Sequence, residues 1–275
     1  MCKALGVSKS GYYIWLKRPI SKQKKLKAKL TAKTKRIHVQ SKGIYGSPKI
    51  TKVLVSEGVN VSQKTVANIM KENKIKSKTV KKYKATTNSN HSLPISPNLL
   101  NQNFKVDAPG KVWVTDITYV WTSQGWLYLA TVMDLFSRRI IGWAMDKRMT
   151  KELVILALQR AIWRQPPQKG LIHHSDRGTQ YCSKAYRVLL DKYGIISSMS
   201  RKGNCYDNAC IESFHSVSKK EWIFHEKYRT RAQAQASILD YILHFYNCKR
   251  IHGTIGYKTP IAYEKNTTNR RRLVN

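Results

Sequence analysis

The sequence predicts an α/β domain with a mixed sheet, preceded by an all-α region. Three observations support this fold class. After residue 110, strand-like and helix-like apolar periodicities follow one another in the order βββαβαβα. Before residue 78, apolar residues recur only at helical spacing. Between these two parts, residues 79–106 show no hydrophobic period and are rich in Lys, Thr, Asn, Ser and Pro, which indicates a linker.

The first part, residues 1–78, begins with a stretch that is typical of the second half of a helix-turn-helix. In residues 1–18, Gly6 can end one helical turn and Ser8 can cap the next helix. The apolar face of this helix would be formed by Tyr12, Tyr13 and Leu16. Residues 20–37 are dense in lysine and predict a solvated basic helix.

Residues 43–75 form a better-defined helical unit. Ser47-Pro48 predicts a helix start, residues 58–61 a turn, and Ser62 the cap of a second helix. This is the helix-turn-helix pattern. At the outward start of the second helix stand three candidate DNA-contacting residues, Gln63, Lys64 and Asn68. A helical hairpin that merely packs on its neighbour is an equally good interpretation.

The second part, residues 107–268, carries the strands. The predicted strands are residues 111–121, 126–133, 139–145, 170–174 and 195–199, and the predicted helices are residues 151–163, 183–192, 208–224 and 231–246. This order is that of the RNase H-like fold, a layered α/β structure with a mixed sheet. The tryptophans of the first three strands are interpreted as core residues, namely Trp113, Trp121, Trp126 and Trp143. Residues 269–275 form a basic tail.

The charge of the chain indicates a polyanionic partner. Among 275 residues, 51 are Lys or Arg and 15 are Asp or Glu, which gives a formal net charge of +36. Residues 1–103 contain 23 of the basic residues and only Glu57 and Glu72 as acids. Such a field attracts nucleic acid, although composition alone also fits a ribosomal-type basic protein.

Cysteine usage and hydropathy predict a cytoplasmic protein that does not enter a membrane. The five cysteines are odd in number and form no C-x-x-C pair, which argues against a disulfide framework. A zinc site of Cys205, Cys210 and His173 or His174 would have a spacing that matches no usual zinc finger. No apolar run approaches the roughly 18 residues of a membrane span.

Three carboxylates are the candidate catalytic residues. Asp116 lies inside the apolar strand V-W-V-T-D-I-T-Y, where an ionised carboxylate needs compensation. A buried hydrogen bond or ion pair would supply it, and so would a divalent metal shared with other carboxylates. Asp176 directly follows the strand L-I-H-H, and in the RNase H order the first and fourth strands are neighbours. Glu212, with 35 residues between it and Asp176, lies one turn into a helix that begins near Asp207 or Asn208.

This acidic set suits phosphodiester chemistry. Carboxylates that bind two hard cations can support an in-line attack, because one metal activates the nucleophile and the other stabilises the leaving oxygen. Lys219 lies seven residues after Glu212, on the same helix face, and can hold a phosphate nearby. Asp134 is a weaker candidate ligand, because it can pair with Arg138 or Arg139 at a strand-end turn. His173 and His174 are interpreted as packing residues at a strand end.

Four motifs together resemble the DDE transposases of the insertion-sequence 3 family, relatives of retroviral integrases. They are W-V-T-D-I-T-Y, D-L-F-S-R-R-I-I-G-W, H-H-S-D-R-G-T-Q-Y and N-C-Y-D-N-A-C-I-E-S-F-H-S-V-S-K-K-E. The resemblance covers essentially the whole chain, from L-G-V-S-K-S-G-Y-Y to H-G-T-I-G-Y-K-T-P-I-A-Y-E. His215 departs from it, because an aromatic residue is common at that position.

The resemblance implies a function and a site. Its catalytic triad corresponds to Asp116, Asp176 and Glu212, and its DNA-contacting base to Lys219; Arg177 and Lys220 are further candidate DNA contacts. It implies two Mg²⁺ ions, or Mn²⁺ in their place, and strand cleavage followed by strand transfer. It also implies double-stranded DNA as partner, a homo-oligomer on DNA, and fusion to the product of an upstream reading frame.

Two rival functions remain on the sequence alone. One is a non-catalytic DNA-binding regulator built on the helices of residues 43–75. The other is an RNase H-type nuclease, which would cleave RNA–DNA hybrids and need no second DNA. The intact Asp116, Asp176, Glu212 and Lys219 favour the transposase over a decayed regulator.

Overall fold

A computed structural model describes residue 2, residues 4–78 and residues 94–272. The chain divides into two compact units, Met1–Ser77 and Lys78–Asn275. Residues 79–93 of the predicted linker and residues 273–275 of the predicted tail lie outside the described residues.

The first unit consists of helices. They are α1 (Lys9–Lys17), α2 (Lys22–Gln40), α3 (Ser47–Ser56) and α4 (Gln63–Glu72). The two predicted serine caps are confirmed: Ser8 accepts a hydrogen bond from the Gly11 amide at 3.0 Å, and Ser62 accepts one from the Thr65 amide at 3.2 Å. The predicted helix start with Pro48 in the first turn of α3 is also confirmed.

The core of this unit lies between α2, α3 and α4. Its buried side chains include Leu30, Ile37, Ile50, Leu54, Val66, Ile69 and Met70. An ion pair between Lys27 and Glu72, with Nζ and Oε2 2.8 Å apart, links α2 to the end of α4. The predicted apolar face of α1 does not contribute to this core, because none of the side chains of α1 is buried.

The second unit contains the sheet. Its strands are β1 (Val112–Thr122), β2 (Gly125–Asp134), β3 (Ile140–Asp146), β4 (Ile172–Ser175) and β5 (Ile196–Met199). Its helices are α5 (Lys151–Arg164), α6 (Thr179–Cys182), α7 (Lys184–Lys192), α8 (Ala209–Glu221), α9 (Arg231–Asp240) and α10 (Pro260–Arg272). The predicted order of elements is confirmed. No helix within the described ranges is long and apolar enough to cross a membrane.

The sheet is mixed, with strand order β3-β2-β1-β4-β5. The first three strands form an antiparallel meander, while β4 pairs in parallel with β1 and β5 pairs in parallel with β4. The predicted neighbourhood of the first and fourth strands is therefore confirmed. Their pairing is short: it runs from Val112 opposite Ile172 to Val114 opposite His174.

Helix α5 packs closely on the meander. Its buried face, which includes Leu153, Ala157 and Ala161, joins Trp113 of β1 and Ile141 of β3 in the main core. Gly142 in β3 permits this approach, because a Cβ atom there would lie 2.3 Å from the Ala157 carbonyl oxygen and 2.7 Å from the Ala161 Cβ. Burial of these apolar faces is the main stabilising contribution to the unit.

The prediction that four tryptophans are core residues is right for two and wrong for two. Trp113 and Trp143 are buried, but 61% of Trp121 and 41% of Trp126 are exposed. The exposed pair lies beside the turn of the β1–β2 hairpin, which extends past the last β1–β4 pair. The strand pattern is the same for all four residues, so it does not reveal which end of the hairpin the core covers.

The C-terminal segment braces both the sheet edge and α8. Helix α9 continues into a π-helix, Tyr241–Tyr246. Just after it, the Asn247 side chain accepts a hydrogen bond from the Ile140 amide and donates one to the Ile140 carbonyl, each at 3.0 Å. Arg250 donates two hydrogen bonds of 2.7 Å to Glu221 at the end of α8. Because both partners are largely buried, this bidentate pair holds α8 in a defined position.

The described part of the predicted linker lies against β5. Residues 94–106 contain no helix or strand. The Leu99 amide donates to Ser198 Oγ at 2.9 Å, Ser96 donates to Ser197 Oγ at 3.0 Å, and the Met199 amide donates to the Pro97 carbonyl at 3.3 Å. This segment is therefore bound to β5 through two backbone groups and the Ser96 side chain.

Gly142→Ala should destabilise the second unit, since the new methyl group must displace the α5 backbone or Ala161. We expect a loss of about 1–3 kcal/mol in the free energy of unfolding, as for other overpacked cores. Chemical unfolding followed by tryptophan fluorescence measures this loss. Gly253→Ala is the matched control, because a Cβ atom there meets its nearest neighbour at 3.9 Å. Equal stability of the two variants would contradict the close packing of α5 on β3.

Candidate active site

Asp116 and Asp176 occupy equivalent positions on two adjacent strands. The last β1–β4 pair is Val114 with His174, and each aspartate lies two residues further along its own chain. Since parallel strands run side by side in the same direction, both carboxylates emerge at the same end of the β1–β4 pair. The strands thus bring together two of the three predicted residues.

Asp116 is held through both carboxylate oxygens. Its Oδ1 accepts a hydrogen bond from the Ile117 amide at 2.8 Å, and its Oδ2 lies 3.2 Å from Nδ1 of the buried His215 on α8. The other ring nitrogen of His215 lies 2.8 Å from Thr131 Oγ1, and Thr131 is the cross-strand partner of Asp116. Donation from Nδ1–H to Asp116 and from the Thr131 hydroxyl to Nε2 satisfies both contacts.

Asp176 lies in the loop between β4 and α6. Its Oδ1 accepts a hydrogen bond from the Gly178 amide at 2.9 Å, which turns the loop back towards α6. The neighbouring Arg177 donates through Nε to the Ser200 carbonyl at 2.7 Å, just past the end of β5. Arg177 therefore lies beside the predicted acidic residue and is partly exposed.

Glu212 lies in the first turn of α8 and interacts electrostatically with Asp116 and Asp176. Partial desolvation, together with the negative charges of Asp116 and Asp176, raises its pKa to about 7. The residue as a whole keeps considerable solvent exposure. Because the Coulomb energy of two charges falls as their distance grows, this effect indicates that Asp116 and Asp176 lie near Glu212.

Lys219 follows two turns later on α8. Its Nζ lies 4.5 Å from the centroid of the Tyr119 ring, a cation–π contact. Burial lowers the pKa of Lys219, and the nearby charge of Asp116 opposes this change. Lys219 is thus beside the carboxylates, as predicted, and the adjacent Lys220 is partly exposed.

The donor set of this site suits a hard divalent cation, although its present geometry is open. Carboxylate oxygens are the ligands that Mg²⁺ prefers. The negative charges of Asp116 and Asp176 raise the pKa of Glu212, and a bound cation would favour its ionised form. Within residues 4–78 and 94–272, however, no three His, Cys, Asp or Glu side chains are close enough together to hold a metal ion. The three carboxylates would have to approach one another to share an ion.

The start of α8 is anchored by Asp207, which is completely buried. Its carboxylate accepts hydrogen bonds from the backbone amide and the guanidinium of Arg201, and from the side chains of Asn98 and Gln102. These partners, the Arg201 side chain above all, hold the pKa of Asp207 well below its usual range. Next to it, Asn208 donates to the Thr115 carbonyl at 3.0 Å and so ties α8 to β1.

The alternative ligand Asp134 belongs to a different arrangement. It is completely buried at the end of β2 and accepts hydrogen bonds from the amides of Gly110, Phe136 and Ser137. Desolvation raises its pKa. The predicted pairing with Arg138 or Arg139 is wrong, because three backbone amides and the Gln165 side chain satisfy the carboxylate instead.

The two histidines of β4 are buried and form hydrogen bonds with neighbouring elements. His173 Nε2 lies 2.6 Å from the Tyr186 hydroxyl, and His174 contacts the hydroxyls of Ser198 and Ser200 at 2.8 and 3.1 Å. Desolvation lowers their pKa values, to about 3 for His173 and about 4 for His174. Both residues are therefore neutral packing groups, as the sequence predicts.

The candidate DNA-contacting residues of the first unit lie on the surface of α4. Gln63, Lys64 and Asn68 are all exposed, while Val66 and Ile69 of the same helix are buried. The outward direction of the three side chains is therefore as predicted. They belong to a different unit from the carboxylates.

Sequence reasoning missed the contact of His215 with Asp116. The residue was noticeable only as a departure from an aromatic position, and helical spacing placed it on the same face as Glu212. The sequence placed Asp207 at the start of this helix but did not show that Arg201, Asn98 and Gln102 bind its carboxylate. The role of Thr131 was missed, because its partner His215 is distant in sequence. The available signal was a histidine, His215, one helical turn after Glu212.

Comparisons with known proteins cover nearly the whole chain. Residues 106–205 and residues 193–260 match two families described as Integrase core domain, and residues 25–83 match the HTH-like domain family. The chain is 45% identical over 265 residues to the Insertion element IS600 uncharacterized 31 kDa protein of Shigella sonnei, covering 96% of this chain and 97% of that protein. It is 40% identical over 266 residues to Transposase InsF for insertion sequence IS3A of Escherichia coli (strain K12), covering 96% and 92%.

Two solved structures are similar at low identity. The simian T-cell lymphotropic virus intasome in complex with PP2A regulatory subunit B56 gamma matches with a TM-score of 0.49 and 16% identity, over 84% of this chain and 74% of that chain. The HTLV-2 integrase catalytic core domain in complex with magnesium matches with a TM-score of 0.44 and 17% identity, over 57% and 97%. The predicted RNase H-like fold of the second unit is confirmed by the Integrase core domain matches.

Asp207→Asn should weaken the second unit at neutral pH and alter its response to acid. Because the folded-state pKa of Asp207 is depressed, its ionised form stabilises the fold above the unfolded-state pKa of about 3.9. This stabilisation is lost as the pH falls below that value towards the folded-state pKa. The free energy of unfolding, measured from pH 7 to pH 2.5, should therefore be lower for the variant than for the wild type, and this difference should become smaller below about pH 4. A difference that is constant over this range would contradict the assignment.

Proposed function

The chain belongs to the insertion-sequence 3 family of transposases, and we propose that Asp116, Asp176 and Glu212 are its catalytic carboxylates. The chain is a DDE transposase, a polynucleotidyl transferase that cleaves DNA strands and joins them to new sites. The observation that carries the assignment is the equivalent register of Asp116 and Asp176 on two adjacent parallel strands. The nearby charges of both aspartates, which raise the pKa of Glu212, support Glu212 as the third member.

We propose that the three carboxylates hold two Mg²⁺ ions, for which Mn²⁺ can substitute. Integrase core domains are consistent with dependence on a divalent metal. When bound, such ions lower the pKa of the attacking hydroxyl and stabilise the leaving oxygen of the phosphodiester. The protein's own contribution is orientation: the Ile117 amide and His215 hold the two oxygens of Asp116 before any metal binds.

We propose that Lys219, Arg177 and Lys220 contact the DNA backbone beside the reacting phosphate. Lys219 shares the face of Glu212 and lies close to Asp116. Arg177 directly follows Asp176, so its charge adjoins the same group of carboxylates. Cations at these positions attract phosphates and oppose the mutual repulsion of DNA and the acidic site.

The first unit binds DNA through its HTH-like domain, and we propose that Gln63, Lys64 and Asn68 contact the ends of the element. Their exposure at the start of the second helix of the motif supports this role. Gln and Asn are suited to adenine edges, whereas Lys contributes a charge to phosphate. No observation favours a regulator that lacks catalysis.

We also propose that the chain acts as a homo-oligomer on DNA, in the cytoplasm, and as a fusion with the product of an upstream reading frame. Family membership supports these proposals, because transposition must act on two element ends and one target. Strand-transfer rates of the chain alone and of the fusion, measured against protein concentration, test them. Equal rates that are independent of concentration would contradict both oligomer and fusion.

Asp116→Asn, Asp176→Asn and Glu212→Gln should each abolish strand transfer of pre-cleaved element ends in Mg²⁺. We expect a fall of about a thousandfold or more, because each change removes an anionic ligand while keeping the side-chain volume. DNA affinity, measured in the same samples, should change little.

Asp191→Asn is the matched control, since Asp191 is exposed on α7 and should leave strand transfer unchanged. Wild-type activity of the Asp116→Asn protein would overturn the catalytic assignment. Activity of the wild type on RNA–DNA hybrids without strand transfer would favour the nuclease.

Gln63→Ala and Asn68→Ala should reduce the preference for element ends over scrambled duplex by about tenfold or more each, the usual cost of a lost base contact. Lys64→Ala should instead weaken binding to both duplexes equally. It should also lower the number of counterions released on binding, given by the slope of log affinity against log salt concentration, by about one. Lys71→Ala, at the other end of α4, is the control. Unchanged binding in all three variants would show that this unit is a helical hairpin that only packs.

A further inference from the structure

Three aromatic side chains on the β1–β2 hairpin form an exposed cluster, here called the hairpin cluster and consisting of Tyr119, Trp121 and Trp126. Trp121 and Trp126 are direct cross-strand partners with ring centroids 4.8 Å apart. Tyr119 and Trp126 are 5.0 Å apart, and both ring pairs are edge-to-face. The three rings therefore form one continuous aromatic surface.

The exposure of this cluster differs from that of the other tryptophans of the meander. The other two tryptophans of the meander, Trp113 and Trp143, are 0% and 5% exposed, against 61% for Trp121 and 41% for Trp126. Leaving two indole rings in water forgoes a large part of their hydrophobic stabilisation. Paired rings that stay exposed beside a functional site indicate a ligand with an aromatic or apolar face.

Two cations flank the cluster. Lys219 Nζ lies 4.5 Å from the Tyr119 ring centroid. Arg231 donates through Nε to the Trp126 carbonyl at 3.0 Å, and its guanidinium lies over Gly125 in the turn. Between residues 117 and 133 the hairpin has no Asp or Glu. An exposed indole face between two positive charges complements a nucleotide, which has a base with a π face and a phosphate.

The cluster is also close to the carboxylates. Tyr119 is three residues beyond Asp116 on β1, so strand alternation turns the two side chains to opposite faces, but Lys219 lies near both. Lys219 links the two features, because it contacts the Tyr119 ring and interacts with the charge of Asp116. A nucleotide next to a phosphate at the carboxylates would thus come within reach of the hairpin.

We propose that Tyr119, Trp121 and Trp126 form a stacking site for an unpaired nucleobase of the DNA strand that reacts at Asp116, with Lys219 and Arg231 beside its phosphates. The location beside the reacting strand rests on the proposed catalytic role of the carboxylates. The stacking itself does not, because it depends only on the exposed rings and their flanking charges. The site would favour frayed or single-stranded ends over a closed duplex.

The test compares binding of two probes without metal: a duplex of arbitrary sequence with a single-stranded oligo(dT) overhang, and the same duplex with blunt ends. Trp121→Ala/Trp126→Ala should lower affinity for the overhang probe by about tenfold or more, the usual effect of a lost stacking residue, and leave the blunt probe unchanged. Trp121→Phe/Trp126→Phe should restore most of the affinity, since it keeps two aromatic rings. Trp163→Ala is the control, because Trp163 is 81% exposed on α5.

Equal losses on both probes, or no loss on either, would overturn the proposal. A change in sedimentation of the double alanine variant without any change in DNA binding would also overturn it, by showing a protein interface. The Asp116→Asn protein separates the two proposals. If it keeps the preference for the overhang and lacks strand transfer, both hold; if it keeps the preference and remains active, stacking stands while the catalytic assignment fails.

Discussion

The short parallel pairing of β1 with β4 is the constraint on which the site depends. Asp116 and Asp176 are sixty positions apart in the chain. Three residue pairs between β1 and β4 place them at the same end of these two neighbouring strands. A shift of one residue in this register would turn one carboxylate to the opposite face. The tight packing of α5 on Gly142 and the buried Trp113 stabilise the meander that presents β1.

The third carboxylate, Glu212, comes from α8. Both ends of this helix are held by hydrogen bonds, and Glu212 lies near two other negative charges. Asp207 and Asn208 tie the start of α8 to residues 94–106 and to β1, while the Glu221–Arg250 pair holds its end. Between them, Glu212 is held where two other negative charges raise its pKa. Such stored repulsion is typical of functional sites, because a cation or a cationic ligand relieves it. His215 meanwhile orients Asp116 from the same helix.

Much of the fold could be predicted from sequence, because it depends on local patterns. Alternating residues 111–121 and the serine caps at Ser8 and Ser62 have local causes, and the structure contains the corresponding strand and helices. Features that depend on distant partners could not be predicted in this way. Periodicity cannot show that Trp121 is exposed while Trp113 is buried, or that Asp134 is satisfied by turn amides rather than by an arginine. The carboxylates were identifiable because their residue types and spacing carry the chemistry itself.

The central claim is that Asp116, Asp176 and Glu212 bind divalent ions together, and anomalous diffraction from crystals soaked in Mn²⁺ tests it most directly. The account predicts two anomalous peaks within about 2–2.3 Å of carboxylate oxygens from these residues, the usual range for hard divalent ions. It also predicts that the three carboxylates approach one another to share these ions. A peak at Asp134 instead, or none near Asp116 at saturating Mn²⁺, would contradict it.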